Sequence, residues 1–126
     1  MHVLLMISLL IAEIPHHLYS SFCQRETVDS VYNECVAEAA AEFGKDSEAG
    51  TCYLMADWAY GVSLLDLSAY SLEKALEKEP SDMILRADCL SLASAVARLK
   101  GNLSAAIKYA EECLIMRKDT YQDCLV

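Results

Sequence analysis

Six cysteines and three histidines are the side chains of this 126-residue chain best suited to nucleophilic or metal chemistry. The histidines, His2, His16 and His17, all fall in the first seventeen positions. His16, His17 and Cys23 match no metal-site spacing, so no metal and no cofactor is expected. Without a His beside a Cys or Ser, no activated nucleophile can be assembled in the body of the chain. The sequence also lacks a Gly-rich phosphate loop and a hydrolase-type Ser motif. Carboxylate pairs such as Glu77–Glu79 and Glu111–Glu112 read as solvated helix faces. These observations predict a protein that is not an enzyme.

The cysteines carry a different chemistry. Cys35, Cys52, Cys89 and Cys113 sit on apolar stripes, where a small buried thiol is the commonest state. They are also placed about two turns. Cys35 and Cys52 flank Gly44 by nine and eight residues, and Cys89 and Cys113 flank Gly101 by twelve each. In an antiparallel helix pair such partners lie at one height, so disulfides Cys35–Cys52 and Cys89–Cys113 are the alternative in an exported protein.

The elements that must position these groups are helical. Hydrophobic residues make up 55% of the chain, enough for a core, and only 4 Gly and 2 Pro interrupt it. The net charge of −9 disfavours a nucleic-acid partner. Apolar residues recur at helical spacing from Glu26 onward. Val28, Val31, Tyr32, Cys35, Val36, Ala39 and Phe43 form one stripe, with Thr27 as its expected cap and Gly44 in the left-handed position after it. Asp46 or Ser47 caps a second helix carrying Cys52, Met55, Ala56 and Ala59. After a loop at 61–66, a third carries Leu65, Ala69, Leu72, Ala75 and Leu76, and Pro80 stops it. Ser81 or Asp82 caps a fourth, with Leu85, Cys89, Leu92, Ala93, Val96 and Ala97, ended by Gly101. A fifth runs from Ser104, its expected cap, to Arg117, with Ala106, Ile107, Ala110, Cys113 and Leu114 on one face and Ala106 and Ala110 closest to the fourth helix. Thr120 and Asp123 read as the start of a sixth.

The helices repeat. Ser63 laid on Gly101, 38 positions on, sets Ser68 on Ala106, Leu72 on Ala110, Ala75 on Cys113 and Leu76 on Leu114. Cys52 falls on Leu90, Met55 on Ala93 and Ala59 on Ala97. Each unit then reads Cys52-x-x-Met55-Ala56-x-x-Ala59 with Ser68-x-x-x-Leu72-x-x-Ala75 and Pro80, and Leu90-x-x-Ala93-Ser94-x-x-Ala97 with Ala106-x-x-x-Ala110-x-x-Cys113. Residues 47–126 thus resemble the tetratricopeptide repeat family, although the family's large aromatics are missing and Lys118 replaces its closing Pro. A non-repeating helical bundle with the same Ala spacing is the alternative.

The resemblance implies an all-α fold of antiparallel helix-turn-helix repeats stacked as a short superhelix over residues 26–126. It implies a module that binds a protein or peptide. The groove would be lined by Tyr53, Asp57 and Tyr60 on one unit and Ser91, Ala95 and Arg98 on the next. The helix at 26–43 would be the second helix of an earlier unit, or a cap. Continuing the family's period places Cys124 where Leu90 stood, which predicts an incomplete stack at the C-terminal end that associates with itself or is stabilised by following sequence.

Residues 1–22 differ from the rest. Val3–Ala12 is an apolar run too short to span a bilayer, which takes about 20 residues, but suited to the core of a secretory signal. Pro15, His16 and His17 break it. An exported or cell-envelope protein is expected, with a buried first helix in the cytoplasm as the alternative. Two functions follow: the peptide-binding module, standing alone or inside a larger exported bacterial regulator or scaffold, and a small secreted, disulfide-stabilised helical ligand or effector.

Overall fold

The computed structural model describes the backbone of residues 25–125 and the side chains of 26–118. The signal-like segment 1–22 lies outside the described residues. Among the described residues five α-helices follow one another: α1 (Arg25–Phe43), α2 (Ser47–Gly61), α3 (Leu65–Glu77), α4 (Met83–Leu99) and α5 (Leu103–Leu125), with a 3-10 turn at Gly44–Asp46. No strand occurs among the described residues. Each helix packs on the next in the chain, and α2 also touches α4 directly. The architecture is all-α, antiparallel helical hairpins stacked in chain order.

The core shows how the stack is built. It is not one centre but three clusters, each with its buried members drawn from two or three consecutive helices. The first joins Cys52 and Ala56 of α2, Leu72 and Ala75 of α3, and Leu85, Cys89 and Val96 of α4. The second joins Val28, Tyr32 and Cys35 of α1, Met55 and Ala59 of α2, and Leu67 of α3. The third joins Ala87 and Leu90 of α4 with Cys113 of α5, under Leu76 of α3. An internal helix therefore buries two faces. That is why α2 is rich in small and apolar residues on more than one side, down to Gly50, where a Cβ would overlap the Phe43 ring.

The two complete hairpins repeat in detail. In the α2–α3 turn the Leu64 N–H donates to Ala59 O (2.8 Å) and the Ser63 N–H to Tyr60 O (3.1 Å). In the α4–α5 turn the Asn102 N–H donates to Ala97 O (2.9 Å) and the Gly101 N–H to Arg98 O (3.0 Å), all 38 positions on. Ser63 and Gly101 share a left-handed backbone, φ 64° and 82°. Inside each hairpin one hydroxyl ties the helices at the crossing. Ser68 Oγ donates to Ala56 O (2.8 Å), and Ser94 Oγ donates to Ala106 O (2.7 Å). These are equivalent pairs of positions, with the donor on opposite helices.

Several expected boundaries move. Gly44 (φ 54°) takes the left-handed position assigned to it, Gly101 ends α4 in the same conformation, and Asp82 caps α4 by accepting from the N–H groups of Ile84 (2.9 Å) and Leu85 (3.2 Å). Thr27 is no cap: it is exposed within α1, which already includes Arg25. Asp46 precedes α2 but its side chain does not cap it. Ser104 lies inside α5, whose first turn is capped by Asn102 Oδ1, accepting from the Ala105 N–H (3.2 Å). No sixth helix starts at Thr120, because no Gly or Pro separates Arg117 from Leu125 and α5 runs through unbroken. The α5 stripe is also rotated. Ala106, Tyr109, Cys113 and Met116 face the stack, while Ala110 is exposed and Ile107 and Leu114 are 59% and 69% exposed.

Candidate functional site

Alternating helix direction makes α2 and α4 parallel neighbours. The 38-residue shift puts Tyr53 level with Ser91, Asp57 with Ala95 and Tyr60 with Arg98. All six stay at the surface: Asp57, Ser91 and Arg98 are exposed, and Tyr53, Tyr60 and Ala95 half-buried. The two tyrosines pack their rings against the first core cluster, so each couples the surface to the α2–α4 contact. Burial first, then the carboxylates of Asp88 and Asp57, push the Tyr53 phenol up to about 12. Its hydroxyl, set among acidic groups, stays a neutral donor well into the alkaline range. Tyrosines, one flanking carboxylate and Arg98 at the far end can hold an extended chain through ring stacking, hydrogen bonds and charge.

A concavity lies elsewhere, between α3, α4 and α5. α3 and α5 converge where Leu76 and Tyr109 cover Ala87, Leu90 and Cys113. Toward the turn-side end, Ala69, Ala93, Ala97 and Ala105 are too small to fill the space, leaving a wedge of about 390 Å³. Its walls are apolar. Its rim carries Glu73, Asn102 and Lys100, and Lys100 Nζ is paired with Asp66 Oδ1 at 2.6 Å. The spacing of small residues announced close packing but not the unfilled volume between alternate helices.

Cys35, Cys52, Cys89 and Cys113 are free and buried, the state expected of thiols on apolar stripes, and the alternative bridges Cys35–Cys52 and Cys89–Cys113 are not formed. Symmetry about the turns was legible; direction around the helix was not. Cys52 and Cys89 both turn into the first cluster, Cys35 into the second and Cys113 into the third. Desolvation pushes the thiols of Cys35 and Cys52 up to about 11 and that of Cys89 to about 12. Such thiols are poor nucleophiles. Cys113 Sγ donates to Ala87 O (3.4 Å) and accepts from Arg117 Nε (3.3 Å), and Arg117 also reaches Asp88 (3.4 Å). Cys23 and Cys124 lie outside the described side chains.

One polar device was missed by sequence reasoning. The Asp46 carboxylate crosses to the α3–α4 loop and accepts from the Ser81 N–H (3.0 Å), the Ser81 hydroxyl (3.0 Å) and the Asp82 N–H (2.9 Å). The Ser81 N–H bond, above all, holds its carboxyl below the usual range. Among the described residues no group of three His, Cys, Asp or Glu could hold a metal ion, and no helix is long and apolar enough to cross a membrane. Compared with protein-family models, with curated proteins and with solved structures, the chain matches none.

Proposed function

We propose that this chain is a protein- or peptide-binding module of tetratricopeptide-like construction, with no catalytic role. One observation carries the proposal: two equivalent hairpins set α2 and α4 side by side, with six matched surface positions in two rows. Parallel helices repeating at one shift offer an extended chain the same contacts at regular intervals, which is how helical solenoids bind. The side chains narrow the ligand. Tyr53 and Asp57, near Asp88, favour a lysine or arginine, and Arg98 favours a carboxylate or carbonyl farther along. We assign no partner identity. Export through the segment 1–22 belongs to the same proposal. A fusion of residues 1–25 to a reporter tests it, and full cytoplasmic retention would reject it.

Binding is tested with labelled twelve-residue peptides of lysine-rich, neutral and glutamate-rich composition, read by fluorescence anisotropy. The lysine-rich set should bind, and Tyr53→Ala and Asp57→Lys should weaken it with helical content unchanged. Peptides that bind the variants as well as the parent chain would reject the α2–α4 surface.

A further inference from the structure

The repeat supplies its own template for the wedge between α3, α4 and α5. The 38-residue shift lays Met55 on Ala93, Trp58 on Val96 and Leu67 on Ala105. In the first hairpin Met55 and Leu67, each 1% exposed, fill the second cluster between α1, α2 and α3, and Trp58 packs against it. In the second hairpin their three smaller counterparts line the wedge of about 390 Å³. The backbones repeat while the filling side chains do not. What is missing has the volume of large apolar side chains. Folded interiors hold few voids larger than a water molecule, and a void with apolar walls favours an apolar guest over water. The size falls within the range of small-molecule sites, about 300–1,000 Å³.

The rim sets the charge of the guest. There the same shift puts Lys100 where Val62 stood and Asn102 where Leu64 stood. Both polar groups are already engaged. Lys100 Nζ is paired with Asp66 Oδ1 (2.6 Å), and Asn102 Oδ1 accepts from the Ala105 N–H (3.2 Å). Glu73 is the charge left over: among the described residues no lysine or arginine pairs with it. It lines the wedge together with Tyr109, whose ring is half-buried. A carboxylate and an aromatic ring at one mouth select a cation. A carboxylate guest would meet the like charges of Glu73 and Asp66, with the one lysine of the rim already taken. We propose that the wedge binds a small apolar amine, its aromatic or branched body between Ala93 and Ala105 and its ammonium at the mouth formed by Glu73 and Tyr109. The wedge shares no residue with the α2–α4 surface, so its failure leaves the peptide-binding proposal standing.

Titration calorimetry of the full chain with tryptamine, tryptophol and indoleacetate tests it, since the three share one ring and differ in the charge of the head. Tryptamine should bind once per chain and raise the melting temperature, tryptophol should bind more weakly, and indoleacetate weakest of all. Glu73→Gln, at an exposed position, should weaken tryptamine by about two- to five-fold, as loss of an exposed ion pair does, and leave tryptophol unchanged. Ala105→Leu, which supplies the counterpart of Leu67, should fill the wedge and abolish binding of all three with helical content unchanged. Ala93→Met, the counterpart of Met55, is the second filling variant should Ala105→Leu lose helix. A parent chain that binds none of the three overturns the proposal. Binding that survives a folded filling variant, or an order of affinities that Glu73→Gln leaves intact, overturns it as well.

Discussion

Moving one hydroxyl from α3 to α2 should leave the protein almost unchanged in stability. Ser68 is buried with 0% exposure, and its hydroxyl ties α3 to α2 through the bond to Ala56 O. Ser68→Ala removes one buried bond between neutral groups, worth about 0.5–1.5 kcal/mol. Ala56→Ser alone adds an oxygen beside an existing one where Ala56 is also 0% exposed, and crowding of that kind costs about 1–3 kcal/mol. Additive effects would leave the double variant at least about 1.5 kcal/mol below the parent. But Ala56→Ser combined with Ser68→Ala reproduces the arrangement of Ser94 and Ala106 in the next hairpin. The double variant should therefore recover to within about 0.5 kcal/mol, a coupling large enough to measure in a double-mutant cycle. Urea denaturation of all four proteins gives the cycle. Thermal melts should echo it at about 4–8 °C per kcal/mol for a domain of this size. Additive losses would refute the structural equivalence of the two hairpins.

Ala106→Leu should cost about 1–3 kcal/mol, because Ala106 is buried under Ser94; Ala105→Leu, projecting into the wedge between α3 and α5, should cost far less or stabilise, and equal melting points would contradict this. The depressed Asp46 carboxyl adds stability that is present above the ordinary carboxylate range, about pH 4, and lost as pH falls through its lower folded value. Asp46→Asn should therefore lower the urea midpoint at neutral pH and converge with the parent in acid; a constant gap would exclude the carboxylate. The Cys35, Cys52 and Cys89 thiols are raised above their ordinary value of 9.0, so the unfolded chain ionises first. Stability should fall from about pH 9 and level off near the folded values of about 11 to 12, and Cys89→Ala should reduce that fall. Thiols that react with Ellman's reagent in the native protein as fast as in denaturant would show that the burial is wrong.

Much of the stack was legible because helix ends and turns are written in local chemistry. Gly44, Pro80, Asp82 and Gly101 mark stops and starts through backbone freedom, ring geometry and capping, and each acts where expected. The 38-residue shift was legible because close crossings admit only small residues. The failures share a cause. Ser63 takes a left-handed conformation without being glycine, so no residue type announces that turn. Thr120 looked like a cap, but a cap needs a break before it, and α5 has none. Ala106 and Ala110 lie only about 40° apart around the helix, and the edge of burial passes between them. Ala-rich helices carry too little contrast to fix that edge. Cys35 and Cys52 stand symmetrically about Gly44 in the sequence, but a helix shared between two clusters must choose which neighbour each side chain meets, and the two thiols fall in different clusters. The rows of the candidate groove follow from the shift alone, and all six of their residues lie at the surface. The acidic surroundings of Tyr53 do not follow from it, because Asp88 comes from another helix.

Clusters whose buried members come from no more than three consecutive helices make this molecule a chain of neighbours rather than a centre with a periphery. Loss of α1 removes the second cluster's floor but leaves the contacts between α4 and α5 intact. Opening should therefore begin at either end and travel inward. Backbone amide exchange should be fastest in α1 and along α5, and slowest where α2, α3 and α4 share Leu72, Cys89 and Val96. Whatever binds an end would act as a clamp against fraying, so that occupancy at one face is felt as slower exchange throughout the stack.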